Sequence, residues 1–475
     1  MYPTINMHIA GAAISAADRA SEPVIDPATE EVLGHVPHAT IDDLDRALAS
    51  VDRGFGGWSA AAPLVRAQIL RRAGDVLRAR ADDYAAVLTA EQGKPLAEAK
   101  GEVLTCADVL DWYAEEGRRV YGRTVPGRNP AVRHIVVREP VGPALGLTPW
   151  NFPMFMAAHK VGGALAAGCS LILKPSEETP ASAMLLVEAL YEAGLPADAL
   201  ALVFGVPAQV SSHLIASDVI RKISFTGSVA VGRHLMTLSA EGLKRTTMEL
   251  GGHAPVIVCD DVDVAAIARQ ASAAKFRNAG QVCVSPTRFF VHHAVHDQFL
   301  EEFSKAASAI RVGPGSDPQS QMGPLANPRR VQAMERLVAD ARQRGAQVAT
   351  GGERIGNQGF FFAPTILHDI GEDAQIMQEE PFGPIATVSP FADLSEAIER
   401  ANETPYGLAG YAFAQSSAAL AELGNRVRVG MLGLNTFSIS TVETPFGGIK
   451  YSGHGREGGN EGLDGYLDTR LLTQA

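Results

Sequence analysis

The 475-residue chain is 46% hydrophobic and carries a formal net charge of -12, enough for a large core in two or three domains, while the acidic balance, spread without a long single-sign block, argues against nucleic acid or an anionic membrane as the main partner. Four cysteines (Cys106, Cys169, Cys259, Cys283) make neither a disulfide framework nor a zinc site, so no metal is expected. No apolar stretch is long enough to span a bilayer, and Met1-Tyr2-Pro3-Thr4-Ile5-Asn6 lacks the pattern of a secretory signal, so a cytoplasmic, reducing setting is expected.

After a short turn-rich start, Thr40-Ile41-Asp42-Asp43 reads as a helix capping box. Helical periodicity is predicted from about Ile41 to Phe55, and again, with breaks, from Pro63 to about Val120, which makes a helical layer. Gly122 to Pro130 is loop chemistry leading into an exposed strand predicted over 132–138, either a sheet edge or an oligomer contact. From Gly142 the pattern alternates between strand and helix. Strands are predicted at 144–147, 170–173, 201–203, 223–225 and 245–248, which implies a parallel sheet covered on both faces, with ligands beyond the carboxyl ends of its strands. A second α/β region is predicted from Gly252 to about Phe446, with strands at 256–258, 289–291 and 385–388. A final strand at 466–472 is placed to pair with the arm.

Several junctions carry residues suited to chemistry. The first parallel strand ends in Leu147-Thr148-Pro149-Trp150-Asn151-Phe152-Pro153, where Asn151 either donates its amide to an oxyanion or caps the following helix. Lys174-Pro175-Ser176-Glu177 follows the second strand and is either a ribose or phosphate clamp or a solvated charged turn. No G-x-G-x-x-G stands near the first strand. Instead Phe225-Thr226-Gly227-Ser228 closes a strand and opens a helix, a place for a pyrophosphate that is also a common junction without one. Cys283 follows a Gly280-Gln281 turn, unlike Cys106, Cys169 and Cys259, which read as structural. Glu249 lies in Met248-Glu249-Leu250-Gly251-Gly252. A thiolate nucleophile with a carboxylate that activates water points to aldehyde oxidation through a thioester. Glu379-Glu380-Pro381-Phe382-Gly383-Pro384 and Pro445-Phe446-Gly447-Gly448 each read as structural when taken alone.

Together and in this order, these motifs resemble the aldehyde dehydrogenase superfamily over essentially the whole chain. The resemblance implies an α/β fold: a Rossmann-type NAD-binding domain (1–121 and 142–248), an α/β catalytic domain (249–450) and a small β oligomerisation domain (122–141 and 451–475) that builds a homodimer or homotetramer. It implies Cys283 as nucleophile, Glu249 as the base for hydrolysis and Asn151 with the Cys283 N–H as oxyanion donors. The cofactor would lie along Thr148, Pro149 and Trp150. Lys174, Ser176 and Glu177 would hold the adenosine ribose, Gly227 and Ser228 the pyrophosphate, and Glu380 and Phe382 the nicotinamide end. A carboxylate at Glu177 favours NAD over NADP, while Lys174 and Ser176 leave room for NADP.

Within the superfamily the chain is more similar to the succinate-semialdehyde and α-ketoglutarate-semialdehyde dehydrogenase branch, on Lys275-Phe276-Arg277-Asn278 and Gly280-Gln281-Val282-Cys283-Val284-Ser285. That likeness implies Arg277 and Ser440 as ligands of a distal carboxylate. His159 stands where the branch has a second arginine, and lacks its bidentate fork. Phe152, Met156, Val282, Val284 and Phe446 complete the implied substrate site. A short semialdehyde is the leading substrate, an uncharged apolar or aromatic aldehyde the alternative, and a non-catalytic binding protein of the same fold a remote third. Ser285 replaces the second cysteine of relatives with a redox disulfide, so no such switch is expected. Glu249 argues for water rather than coenzyme A as acyl acceptor.

Overall fold

In the computed structural model, which describes residues 2–17 and 19–475, the predicted capping box forms. The Thr40 hydroxyl accepts from the Asp43 N–H at 3.2 Å, and the Asp43 carboxylate accepts from the Thr40 N–H at 3.0 Å. The helix runs Ile41–Ala60, past the predicted end at Phe55. Gly56 and Gly57 disfavour that extension locally. Buried Trp58 overrides them, its indole N–H donating to Leu165 O at 3.1 Å. Helices Pro63–Ala79, Ala81–Gln92 and Leu96–Glu116 complete the helical layer. The start of the chain is not merely turn-rich. It holds strands Met7–Ile9, Ala12–Ile14, Ser21–Ile25 and Val32–Pro37, too short or too irregular to show alternation in sequence.

The first large sheet has eight strands. Five are parallel, in the spatial order Arg245–Leu250, Lys222–Gly227, Ala144–Leu147, Leu171–Lys174, Leu200–Leu202. The second of these in sequence starts at Leu171 rather than Ser170, whose hydroxyl donates to Val51 O instead. Ala144–Leu147 and Leu171–Lys174 are buried along their whole length, as a sheet covered by helices on both faces requires. Strand order reverses between Ala144–Leu147 and Lys222–Gly227. That switch point opens a crevice at their carboxyl ends, flanked by Thr148–Asn151 and Gly227–Ser228.

The second sheet has seven strands, in the order Gln347–Thr350, Thr365–His368, Ile385–Phe391, Pro286–His292, Ala254–Val258, Ala409–Phe413, Met431–Leu434. All run parallel except the first. Each large sheet has its own apolar core. The chain leaves the carboxyl edge of the first sheet at Leu250 and enters the amino edge of the second at Ala254, so the two edges meet at Gly251-Gly252-His253. A third sheet joins Leu467–Gln474, Arg133–Pro140 and Arg123–Pro126, so the last strand pairs with the arm from Leu467↔Pro140 to Gln474↔Arg133. Among the described residues no helix is long and apolar enough to cross a membrane.

Candidate active site

Glu249 stands near the end of Arg245–Leu250, at the carboxyl edge of the first sheet, and Cys283 lies just before Pro286–His292, at the amino edge of the second. The two approach across the Gly251-Gly252 crossing: a Cβ on Gly252 would lie 2.6 Å from the Cys283 carbonyl oxygen. Cys283 is partly exposed, whereas Cys106, Cys169 and Cys259 are buried. Desolvation, then the nearby Glu380 and Glu249, push the Cys283 thiol up to about 12. Glu249 is 2% exposed, and neither carboxylate oxygen has a hydrogen-bond partner. A Cβ on Gly447 would sit 2.7 Å from Glu249 Oε1, so only glycine leaves that oxygen room. Burial, and then the charge of Glu457, hold the Glu249 carboxyl well above the usual range.

The loop before Cys283 is strained. Asn278, Ala279 and Gly280 all have positive φ (48°, 53° and 70°), which costs free energy at the two non-glycine positions. Hydrogen bonds hold it: the Asn278 N–H donates to Glu98 at 2.9 Å, and the Gln281 side chain donates to Asn278 O at 3.1 Å and accepts from the Ala326 N–H at 2.9 Å. Asn151 Nδ2 donates to Gln281 O at 2.9 Å, which leaves one amide hydrogen free. Helix Pro153–Ala167 is capped at Phe152 without a side-chain bond, so Asn151 is not its cap.

At the switch point the Thr148 N–H donates to Lys174 O at 3.2 Å, while the buried Thr148 hydroxyl has no partner. Beside half-buried Pro149, the Trp150 ring meets Phe382 edge-on at 5.4 Å. The helix Val229–Glu241 starts at exposed Ser228, directly after Gly227, and Ser228 Oγ accepts from the Val231 N–H at 3.4 Å. Glu380 accepts from the Gly252 N–H at 3.0 Å and is pushed up to about 7 by burial. Lys174 and Glu177, both expected at the adenosine ribose, form an ion pair with each other; Ser176 accepts from the Glu178 N–H at 3.3 Å. An orphaned buried hydroxyl and an exposed helix N-terminus on either side of the crevice fit a dinucleotide.

The expected substrate residues form a partly aromatic wall. The Phe152 ring lies between Lys94 Nζ at 3.8 Å and the exposed Arg277 guanidinium at 5.4 Å. Met156 and Val282 are buried, and half-buried Val284 accepts from the Tyr411 hydroxyl at 2.7 Å. Phe446 is buried and exchanges backbone hydrogen bonds with Glu457, while Ser440 is exposed. His159 is not the partly charged group that its sequence position suggests. Burial pushes it down to about 4, so it is neutral at neutral pH. Its ring stands edge-on to Phe155 at 4.6 Å and Tyr113 at 6.0 Å, with Nδ1 unpartnered.

A model of the aldehyde dehydrogenase family matches residues 14–472. The chain belongs to this family. It is 48% identical over 449 residues to a putative 4-(hydroxymethyl)benzenesulfonate dehydrogenase of Comamonas testosteroni, covering 94% of each chain. It is 42% identical to a succinate-semialdehyde dehydrogenase [NADP(+)] of Escherichia coli (strain K12), covering 94% of this chain and 93% of the relative. Among solved structures, a succinate-semialdehyde dehydrogenase from Burkholderia pseudomallei superposes with a TM-score of 0.97 at 43% identity, covering 99% of this chain and 98% of the other. This aldehyde dehydrogenase is thus an enzyme of NAD(P)-dependent aldehyde oxidation.

Sequence reasoning missed several buried charges of the site. Lys160 Nζ donates to Glu457 at 2.7 Å and to Thr226 Oγ1 at 2.7 Å, within electrostatic reach of Glu249. Lys160 had a signal, being the one lysine in a helix that is apolar apart from it and His159 and is nearly all buried. Glu457, in a glycine-rich loop, had none. Lys94 and Glu102 pair at 2.7 Å although helical periodicity gave no reason to bury either.

Proposed function

We propose that this aldehyde dehydrogenase works through a thiohemiacetal and a thioester on Cys283. The reading is carried by the two buried, unpartnered oxygens of Glu249 beside the loop of the one partly exposed cysteine. A raised thiol and a raised carboxyl near each other disfavour two anions, so Glu249 rests protonated and the proton of the partly exposed Cys283 passes to solvent as sulfur bonds to the aldehyde carbon. The carbonyl oxygen becomes an oxyanion held by the free Asn151 amide hydrogen and the Cys283 N–H. NAD(P), when bound, supplies the hydride acceptor, and loss of hydride from carbon leaves the thioester. Once its proton has passed to solvent, Glu249 takes one from a water that attacks the thioester carbon. The C–S bond then breaks and the acid leaves. Thr148, Pro149, Trp150, Gly227 and Ser228 would line the pyrophosphate crevice, Glu380 and Phe382 the nicotinamide end, and Lys174, Ser176 and Glu177 the adenosine ribose. The Glu177 carboxylate repels a 2′-phosphate and favours NAD; Lys174, when released from it, gives NADP a foothold.

The substrate we infer is an aldehyde with an anionic far end, a short semialdehyde first. Exposed Arg277, without a carboxylate partner among the described residues, supports this reading, with exposed Ser440 as its expected second ligand. A second reading, an aromatic aldehyde bearing an anion, is favoured by the Phe152, Phe155 and neutral His159 rings, where a second arginine would otherwise add charge. The deciding experiment is NAD(P)H formation with succinic semialdehyde, α-ketoglutaric semialdehyde, 4-formylbenzenesulfonate, hexanal and benzaldehyde, with Cys283→Ala as control. Highest kcat/KM for hexanal or benzaldehyde would remove Arg277 from substrate binding. Turnover by Cys283→Ala would remove the mechanism. We also propose the division into domains at 1–121 and 142–248, 249–450, and 122–141 with 451–475. In it the exposed Leu471 and Leu472 of the last strand serve a homodimer or homotetramer.

A further inference from the structure

Lys94 lies between helices Ala81–Gln92 and Leu96–Glu116, far in sequence from every residue assigned above, and its side chain is fully buried. Its ammonium donates to Glu102 at 2.7 Å and to the Asn151 backbone carbonyl at 2.8 Å, and it lies 3.8 Å from the Phe152 ring centroid. The other Glu102 oxygen accepts from the Met154 and Phe155 N–H groups, both at 3.1 Å, at the start of helix Pro153–Ala167. The same Asn151 carbonyl accepts from Asn278 Nδ2 at 2.9 Å, on the loop of Cys283. Asn151 is therefore fixed at its carbonyl by two donors, and the residues after it are fixed by Glu102. The backbone around Lys94 has little freedom to move: a Cβ on either Gly315 or Gly323 would run into the carbonyl of Gly93, and one on Gly315 into that of Lys94.

A buried ion pair is weak evidence for stability, because an apolar pair of the same volume often serves as well. What an apolar pair cannot supply is a cation aimed at one carbonyl. We propose that Lys94 is a positioning residue of the reaction: paired with Glu102, it holds the Asn151 backbone so that the Asn151 amide meets the oxyanion formed at Cys283. The proposal rests on the oxyanion reading of Asn151. It makes Lys94 act through Asn151 and not on the cofactor, whose expected residues it does not touch.

The test is a double-mutant cycle of Lys94→Met and Asn151→Ala, reading kcat, the pre-steady-state NADH burst, the KM for NAD and the melting temperature. Lys94→Met is expected to lower kcat and the burst rate by about 100-fold, the scale of a misplaced catalytic group, with the KM for NAD unchanged. In the Asn151→Ala background it should change kcat by no more than about twofold, the tolerance for additive sites. Losses that multiply in the double variant would overturn the proposal and leave the oxyanion reading standing. An Asn151→Ala enzyme with normal kcat would overturn both. If Lys94→Met does not fold, Lys94→Met/Glu102→Gln keeps the acceptor for the Met154 and Phe155 N–H groups without either charge. The same two outcomes then decide.

Discussion

Glu249→Gln separates the two halves of the proposed reaction. The change is nearly isosteric, and no hydrogen bond is lost, because neither Glu249 oxygen has one. What it removes is a proton acceptor and the cost of burying a charge. Loss of a general base typically slows the step it serves by about 10²–10⁴, or about 3–5 kcal/mol of barrier. If Glu249 serves hydrolysis, mixing with aldehyde and NAD should give a burst near one NADH per subunit followed by turnover slowed by that factor. Stopped-flow absorbance reads both phases, and denaturation in acid with mass spectrometry reads the acyl group left on Cys283. The stability effect has a definite sign. The folded-state pKa of Glu249 is raised, so between the ordinary carboxylate range and that raised value the folded protein holds a proton that the unfolded chain has released. Wild-type stability therefore falls as pH rises through this window, and Gln carries no such slope. The variant's melting temperature should exceed wild type at neutral pH and match it near pH 4, about where unfolded carboxyls protonate. Steady turnover within about tenfold of wild type, short of the general-base range, would refute the assignment, as would a variant less stable at neutral pH.

Three further outcomes follow from the site. Iodoacetamide should label Cys283 and spare buried Cys106, Cys169 and Cys259. With the thiol pushed up to about 12, the rate should climb about tenfold per pH unit from neutral upward, and a flat profile would mean that a cation lowers it in solution. Arg277→Met should raise the KM for succinic semialdehyde by about 10- to 100-fold, the worth of a charged hydrogen bond, while leaving hexanal almost untouched. Equal losses on both aldehydes would make Arg277 structural. Glu177→Gln should raise the ratio of kcat/KM for NADP over NAD by about tenfold, roughly 1.4 kcal/mol. No change in that ratio would show that the Lys174 pair already hides the carboxylate from either cofactor.

What the sequence made legible is what local pattern encodes. The alternation from Gly142 onward gave the parallel sheet, and the Thr40 capping box gave a helix start, because each is written in neighbouring residues. Asn151, Glu249 and Cys283 stood out because chemistry-bearing side chains sit at strand ends beside glycine or proline. The end of the first helix was missed because Trp58 is anchored to a carbonyl 107 residues away. The ion pair between Lys174 and Glu177 was not legible in their motif, being an outcome set by the side chains' own charges.

Burial accounts for the rest. His159 read as a weak cation because histidine titrates near neutrality in water, yet enclosure by Phe155 and Tyr113 holds it neutral. Lys94, Lys160, Glu102 and Glu457 were not singled out by any motif and are buried, each paired and each close to a proposed catalytic group. Charges are costly to bury, so four of them within one site have to be held by something that packing alone does not provide. The two pairs differ in what they hold. Lys94–Glu102 grips backbone, the Asn151 carbonyl and the first N–H groups of the next helix. Lys160–Glu457 grips side chains, the hydroxyls of Thr226 and Ser224, next to the unpartnered Glu249. In the proposed mechanism the first arrangement holds the backbone of the oxyanion donor, while the second lies within electrostatic reach of the base. Neither is written in the motifs that reveal the nucleophile, since each pair joins residues brought together only by the completed fold.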